Sequence, residues 1–167
     1  KGKGSRFVVT LNLKIEEDHP DLIKKPTERA AVQKQKPMAA DKIKLLLVED
    51  NPLNMEIAQT ILEEKGYLVE CAENGEEALE IFMQSEPYTY QLILMDLQMP
   101  VMDGYTAARE IRDCEHFQAK SIPIIALTAN AFAEDMAKAL AAGMNDYVSK
   151  PIDFNKLTDV IEKCMNQ

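Results

Sequence analysis

The sequence predicts an α/β fold in which five strands alternate with five helices, forming one parallel sheet with helices on both faces. Three observations predict it. Between Ile43 and Cys164, short apolar runs alternate with stretches of helical spacing; such alternation builds right-handed strand–helix–strand units that bury a sheet between two helical layers. The run Leu92-Ile93-Leu94-Met95 has no polar break and ends in Asp96, the pattern of a strand buried on both faces. Proline and glycine sit at the joints, with Pro52 suited to a first helical turn and Gly66 and Gly143 to helix ends.

Each element follows in order. Ile43–Val48 is the first strand, and Leu53, Ile57, Ile61 and Leu62 mark a helix over Pro52–Lys65. Tyr67–Cys71 is the second strand, and Asn74-Gly75 opens a helix with Ala78, Ile81 and Phe82 on one face. Leu92–Met95 is the third strand; Pro100, Asp103 and Gly104 mark the loop after it, and Tyr105, Ala108 and Ile111 the next helix. Ile122–Leu127 is the fourth strand, followed by a helix with Phe132, Met136 and Leu140 as its inward stripe. Asp146–Ser149 is a short fifth strand, and Phe154, Leu157, Ile161 and Cys164 share one side of the last helix. We expect these stripes, with Cys71 and Cys164, to be core, and Met95, Met99 and Met102 to be packing.

The first 41 residues read differently. Residues 5–15, SRFVVTLNLKI, alternate as a strand that cannot fold alone. Residues 16–41 contain Pro20, Pro26 and Pro37, sustain no period beyond a short helical piece around Glu28–Gln35, and read as a linker. Residues 1–41 carry 9 Lys/Arg against 6 Asp/Glu, and residues 42–167 carry 10 against 22. So acidic a domain lacks the clustered cations that duplex binding needs, and no nucleic-acid partner is expected. No run approaches the roughly 18 apolar residues of a membrane span. The lack of an initiator Met leads us to expect a piece of a longer protein, and no secretory signal is read in the first residues. Three cysteines without metal spacing fit a reducing, cytoplasmic compartment. His19 is expected to be solvated and His116 exposed.

The chemistry lies at the strand ends. The first strand ends in Glu49-Asp50, the third in Asp96, the fourth in Thr128 and the fifth in Lys150, and a parallel sheet delivers all of them to one side. Each has a plainer role available: helix caps for Glu49, Asp50 and Thr128, a surface lysine for Lys150. None of these accounts for Asp96 or for the set. Three carboxylates together repel, so a divalent cation is their natural occupant, and all-oxygen ligation favours Mg²⁺. Lys150 and Thr128 suit phosphoryl oxygens, backbone N–H groups after Asp96 suit an anion, and a carboxylate can accept a phosphoryl group. The residues alone thus describe metal-assisted phosphoryl transfer at Asp96.

The segments LLLVEDNPLN, LILMDLQMPVMDG, IIALTANA and DYVSKPI resemble those of the receiver domains of two-component signalling, over residues 42–167. The resemblance implies a flavodoxin-like (βα)5 sheet of strand order 2-1-3-4-5. It implies that Asp96 accepts phosphate from a phosphohistidine, that Glu49, Asp50 and Asp96 bind Mg²⁺ with the backbone carbonyl of Gln98, and that Thr128 and Lys150 hold the phosphoryl group. Tyr147 would be the aromatic switch, and the Lys150–Pro151 peptide is expected to be cis. KGKGSRFVVTLNL is similar to the closing strand of a histidine-kinase ATP-binding domain, which would make 1–15 that strand, 16–41 a linker and the parent a hybrid histidine kinase. The implied partners are the kinase's phosphodonor domain and a histidine phosphotransfer protein, with a dimer left open. Two rival functions are an aspartyl-phosphate phosphohydrolase, which would want an acid/base carboxylate where this chain has Gln98, and a degenerate receiver that only docks.

Overall fold

The computed structural model describes residues 43–129 and 132–165. The strand expected at 5–15, the linker at 16–41 and His19 lie outside the described residues. Among the described residues no helix is long and apolar enough to cross a membrane.

Five strands, β1 (Lys44–Val48), β2 (Leu68–Ala72), β3 (Leu92–Asp96), β4 (Ile124–Thr128) and β5 (Asp146–Ser149), pair in parallel in the order β2-β1-β3-β4-β5. Between and after them run α1 (Pro52–Glu64), α2 (Gly75–Gln84), α3 (Gly104–Asp113), α4 (Ala133–Ala141) and α5 (Phe154–Met165). The expected fold class and strand order are observed, with β2 and β5 at the edges. β4 begins at Ile124 and runs to Thr128, two residues later than the apolar run suggests, because that run includes Pro123, whose missing N–H fits poorly in a central strand.

Alternation along the central strands separates two cores. Leu45, Leu47, Leu92, Leu94, Ile125 and Leu127 face one way and meet Ala58 and Leu62 of α1 and Leu157 and Ile161 of α5. Leu46, Val48, Ile93, Met95, Ile124 and Ala126 face the other way and meet Phe82 of α2, Ala107, Ala108 and Ile111 of α3, and Ala139 of α4. Each fully buried Leu or Ile contributes about 1.5–3 kcal/mol relative to exposure. Helix starts are set by side chains: Asn51 Oδ1 accepts from the N–H groups of Leu53 and Asn54, Asn74 caps α2, and Asp103 caps α3.

Three sequence expectations are corrected. Phe132 (68% exposed) and Leu140 (57%) of the supposed α4 core stripe point to solvent, while the small Ala139 and Ala142 are buried; α4 lies close to its neighbours through alanines, leaving its bulk outside. Leu53 and Ile57 of α1 are likewise exposed. His116 is half-buried, its ring 4.2 Å from that of Phe82, with Nε2 3.1 Å from the Ser85 carbonyl oxygen and Nδ1 accepting from the Gln118 N–H. Met95 and Met99 are buried and Met102 packs against the same core, as expected. Cys71 and Cys164 are only half-buried, but both pack against the α1–α5 core.

Candidate functional site

Pairing of β1 with β3 sets Val48 opposite Met95, so the next residues, Glu49 and Asp96, leave the sheet side by side. Both are buried, at 2% and 5% exposure. Asp50 begins the loop into α1 and is exposed. One carboxylate oxygen from each of Glu49, Asp50 and Asp96 lies within 4.8 Å of the other two. From the opposite side, β4 pairs with β5 through Thr128 and Ser149, which carries Lys150 to the same edge. Its Nζ stands 2.6 Å from Glu49 Oε2 and 2.5 Å from Asp96 Oδ2. The Lys150–Pro151 peptide is cis, as expected.

The electrostatics are those of a crowded acidic pocket. Burial raises the Asp96 carboxyl above the usual aspartate range, and the charge on Glu49 adds to this against the hydrogen bonds from Lys150 and the Gln98 N–H. Burial works against the Lys150 ammonium, yet its hydrogen bonds to Asp96 and Glu49 outweigh that and hold its pKa above the ordinary lysine value. One ammonium thus serves two carboxylates, and the third faces solvent. Three hard oxygen donors suit a divalent cation: in an octahedron with ligands at about 2.1 Å, opposite oxygens lie about 4.2 Å apart, and these three all lie within 4.8 Å of one another. Among the described residues, Glu49, Asp50 and Asp96 are the ones able to hold such an ion.

The other expected residues sit less centrally. Gln98 is exposed and reaches the site through its backbone N–H, 3.1 Å from Asp96 Oδ1. Thr128 is buried at 6% exposure on the face of β4 that also carries Ala126. Tyr147 lies opposite Ala126 in the β4–β5 register, half-buried against the core that contains Ala126. Thr128 and Tyr147 therefore share a face, while Asp96 follows Leu92 and Leu94 on the opposite one.

Two residues of the site have no counterpart in the sequence reading. In the sequence Gly104 marks only a loop, but a Cβ there would stand 2.1 Å from the Asp96 carbonyl oxygen. The start of α3 closes onto the backbone of the central aspartate, and only glycine fits. Asn54, in the first turn of α1, donates from Nδ2 to Glu49 Oε1 at 2.9 Å. The spacing of five residues from Glu49 is the one available signal, and it is weak.

A doubly wound sheet with charged groups gathered at its carboxyl edge defines the class of α/β domains that bind their ligands where strand order reverses. Comparison with known proteins narrows the class. Residues 45–162 match the family described as response regulator receiver domain. The receiver domain of sensor histidine kinase PA1611 from Pseudomonas aeruginosa PAO1, solved with a magnesium ion coordinated in its active-site cleft, is 39% identical, with a TM-score of 0.68 over 76% of this chain and 100% of that one. A Saccharomyces cerevisiae receiver, that of Ssk1, solved with the histidine phosphotransfer protein Ypd1, is 36% identical, with a TM-score of 0.66 over 75% of this chain and 91% of that one. The aerobic respiration control sensor protein ArcB of Escherichia coli K12 is 35% identical over 98% of this chain and 19% of its own length. The chain belongs to the response regulator receiver domain family, and its function is that of a receiver in a two-component phosphorelay. It spans only 5% of the length of the hybrid signal transduction histidine kinase M of Dictyostelium discoideum and 19% of that of ArcB.

Proposed function

We propose that Asp96 is the phosphoacceptor and that Glu49, Asp50 and Asp96 hold Mg²⁺ beside it, Gln98 adding its backbone. The observation that carries the reading is the meeting of three carboxylate oxygens within 4.8 Å with one lysine bridging two of them. A carboxylate oxygen of Asp96 attacks the phosphorus of a phosphohistidine in line. The new O–P bond forms as the N–P bond breaks, and the imidazole nitrogen keeps the electron pair and takes a proton from solvent. Bound Mg²⁺ supplies neutralisation of the charge that builds up on the phosphoryl and carboxylate oxygens. Lys150 moves its hydrogen bonds to the phosphoryl group, Thr128 donates to another of its oxygens, and the Gln98 N–H helps to hold the anion. Tyr147, packed beside Ala126, follows Thr128, and the surface of α4, β5 and α5 is biased between two states.

The same reading makes this chain the cytoplasmic end of a hybrid histidine kinase, whose membrane anchoring is left open, with residues 1–15 closing its ATP-binding domain and residues 16–41 as the linker. Its donor is a phosphohistidine of that kinase, and its recipient a histidine phosphotransfer protein or water. Beside the acidic site a groove of about 480 Å³, lined by Ile57, Ala58, Pro151, Ile152 and Phe154, offers an apolar seat for the helix that carries the histidine.

Asp96→Asn tests the assignment. With acetyl phosphate and Mg²⁺, the wild-type chain takes up one phosphoryl group by intact-mass measurement and the variant takes up none while keeping its circular dichroism. Stoichiometric labelling of the variant would put the acceptor elsewhere.

A further inference from the structure

We propose that Asn54 is a positioning residue of this site, fixing Glu49 for the metal whether or not Asp96 is phosphorylated; the proposal rests on the function assigned above. The two oxygens of Glu49 have partners of different kinds. Oε2 accepts from Lys150 Nζ at 2.6 Å, and that ammonium is shared with Asp96 Oδ2 at 2.5 Å. Oε1 accepts from Asn54 Nδ2 at 2.9 Å. When Lys150 turns to a phosphoryl group, Glu49 loses its charged partner, although it remains buried at 2% exposure. A buried carboxylate left without a donor is costly and free to turn. Asn54 is the partner that stays.

Its chemistry suits this role. An amide donates without carrying charge, so it neither competes with a cation nor titrates near neutral pH. Its backbone is anchored, the Asn54 N–H donating to Asn51 Oδ1 at 3.1 Å. The helix itself has no need of an asparagine there: Asn51 caps α1 and Pro52 fills its first position, and asparagine is a poorer helix former than leucine. Asn54 also lines the groove that holds Ile57 and Phe154. A helix seated in that groove would touch the amide that orients Glu49.

The test is Asn54→Leu in the whole chain, read three ways: Mg²⁺ titration by calorimetry, melting in the presence of chelator, and acetyl phosphate uptake across Mg²⁺ concentrations. Loss of a partner that orients a ligand typically weakens metal binding about 10- to 100-fold. We expect a Kd for Mg²⁺ raised at least about 10-fold, a chelated melting temperature at or modestly below wild type because Glu49 Oε1 loses its donor, and uptake restored at saturating Mg²⁺. An unchanged Kd overturns the proposal, with or without a lower melting temperature, and so does an uptake defect that persists at saturating Mg²⁺. A wild-type chain that binds no Mg²⁺ overturns the assigned function, and this proposal with it.

Discussion

Where β4 and β5 begin, the Arg112 guanidinium donates to the carbonyl oxygens of Gly143 (2.9 Å), Ala119 (2.8 Å) and Ile122 (2.8 Å) and to Asn145 Oδ1 (3.0 Å). Where the same strands end, the Lys150 ammonium stands between Asp96 and Glu49, with Asp50 close by. Both are partly buried cations, yet their surroundings differ in kind. Arg112 has neutral acceptors, so its charge-assisted bonds tie together the last turn of α3, the entry to β4 and the entry to β5. Lys150 offsets acids that also repel each other. A second pair of groups repeats the contrast. Glu70 is held below the usual carboxylate range by Lys44 and then by the Tyr90 hydroxyl, whereas burial lifts Asp96 above it. One edge of the sheet is satisfied without ligand; the other stores repulsion that a cation or a phosphoryl group reorganises.

The largest test of that contrast is at Arg112. Removing its side chain takes a charged donor from three backbone carbonyls and from Asn145 Oδ1, which keeps its bond from the Ile124 N–H. Arg112→Ala is expected to cost about 3–4 kcal/mol in urea unfolding, in the range seen for breaking buried charged networks. Lysine cannot reproduce the planar fork, so Arg112→Lys recovers less than half. A loss below about 1 kcal/mol for the alanine variant would show that this edge does not carry the stability assigned to it.

At the opposite edge the sign reverses. Asp96→Asn removes one of three mutually repelling carboxylates and leaves Lys150 paired with Glu49. In metal-free buffer it is expected to raise stability, on the order of 1 kcal/mol, as substitutions that relieve a functional site commonly do. Adding Mg²⁺ then narrows the gap, because only the wild type binds the ion well. A variant less stable than wild type without metal would mean that the lysine bridge outweighs the repulsion.

How much of this was legible in the sequence follows from the same division. The carboxyl edge could be read because topology does the gathering: once strands are parallel, a charge after each apolar run must arrive on one side, and Glu49, Asp50, Asp96, Thr128 and Lys150 did. The amino edge was opaque. Arg112 looks like any arginine in a helical last turn, since three of its four acceptors are backbone carbonyls, which leave no mark in a sequence. His116 read as a loop histidine because Phe82 and Ser85 lie some thirty residues away. Gly104 is fixed by a carbonyl eight residues earlier. On α4, helical spacing correctly showed a helix but not its orientation, since alanines on the inner face leave the larger apolar residues outside.

The smallest effect concerns Tyr90, whose hydroxyl donates to Glu70 Oε2 at 2.5 Å while Lys44 Nζ stands 2.7 Å from the same oxygen. Burial and then the Glu70 bond push the Tyr90 hydroxyl well above the usual tyrosine value, so it remains a donor at every pH used for folding work. Glu70 has a depressed folded-state pKa. Its contribution is therefore complete above the unfolded value of about 4.3 and is lost as pH falls through the lower folded value. With the Glu70 side chain 40% exposed, solvent screens the network, and Tyr90→Phe is expected to cost about 0.5–1 kcal/mol at pH 7. That difference should shrink as pH falls below about 4, when Glu70 takes up a proton in both proteins. Urea titrations of the two proteins between pH 7 and pH 3 check this. A difference that stays constant across the range would place the effect of Tyr90 in its packing and not in the charge it supports.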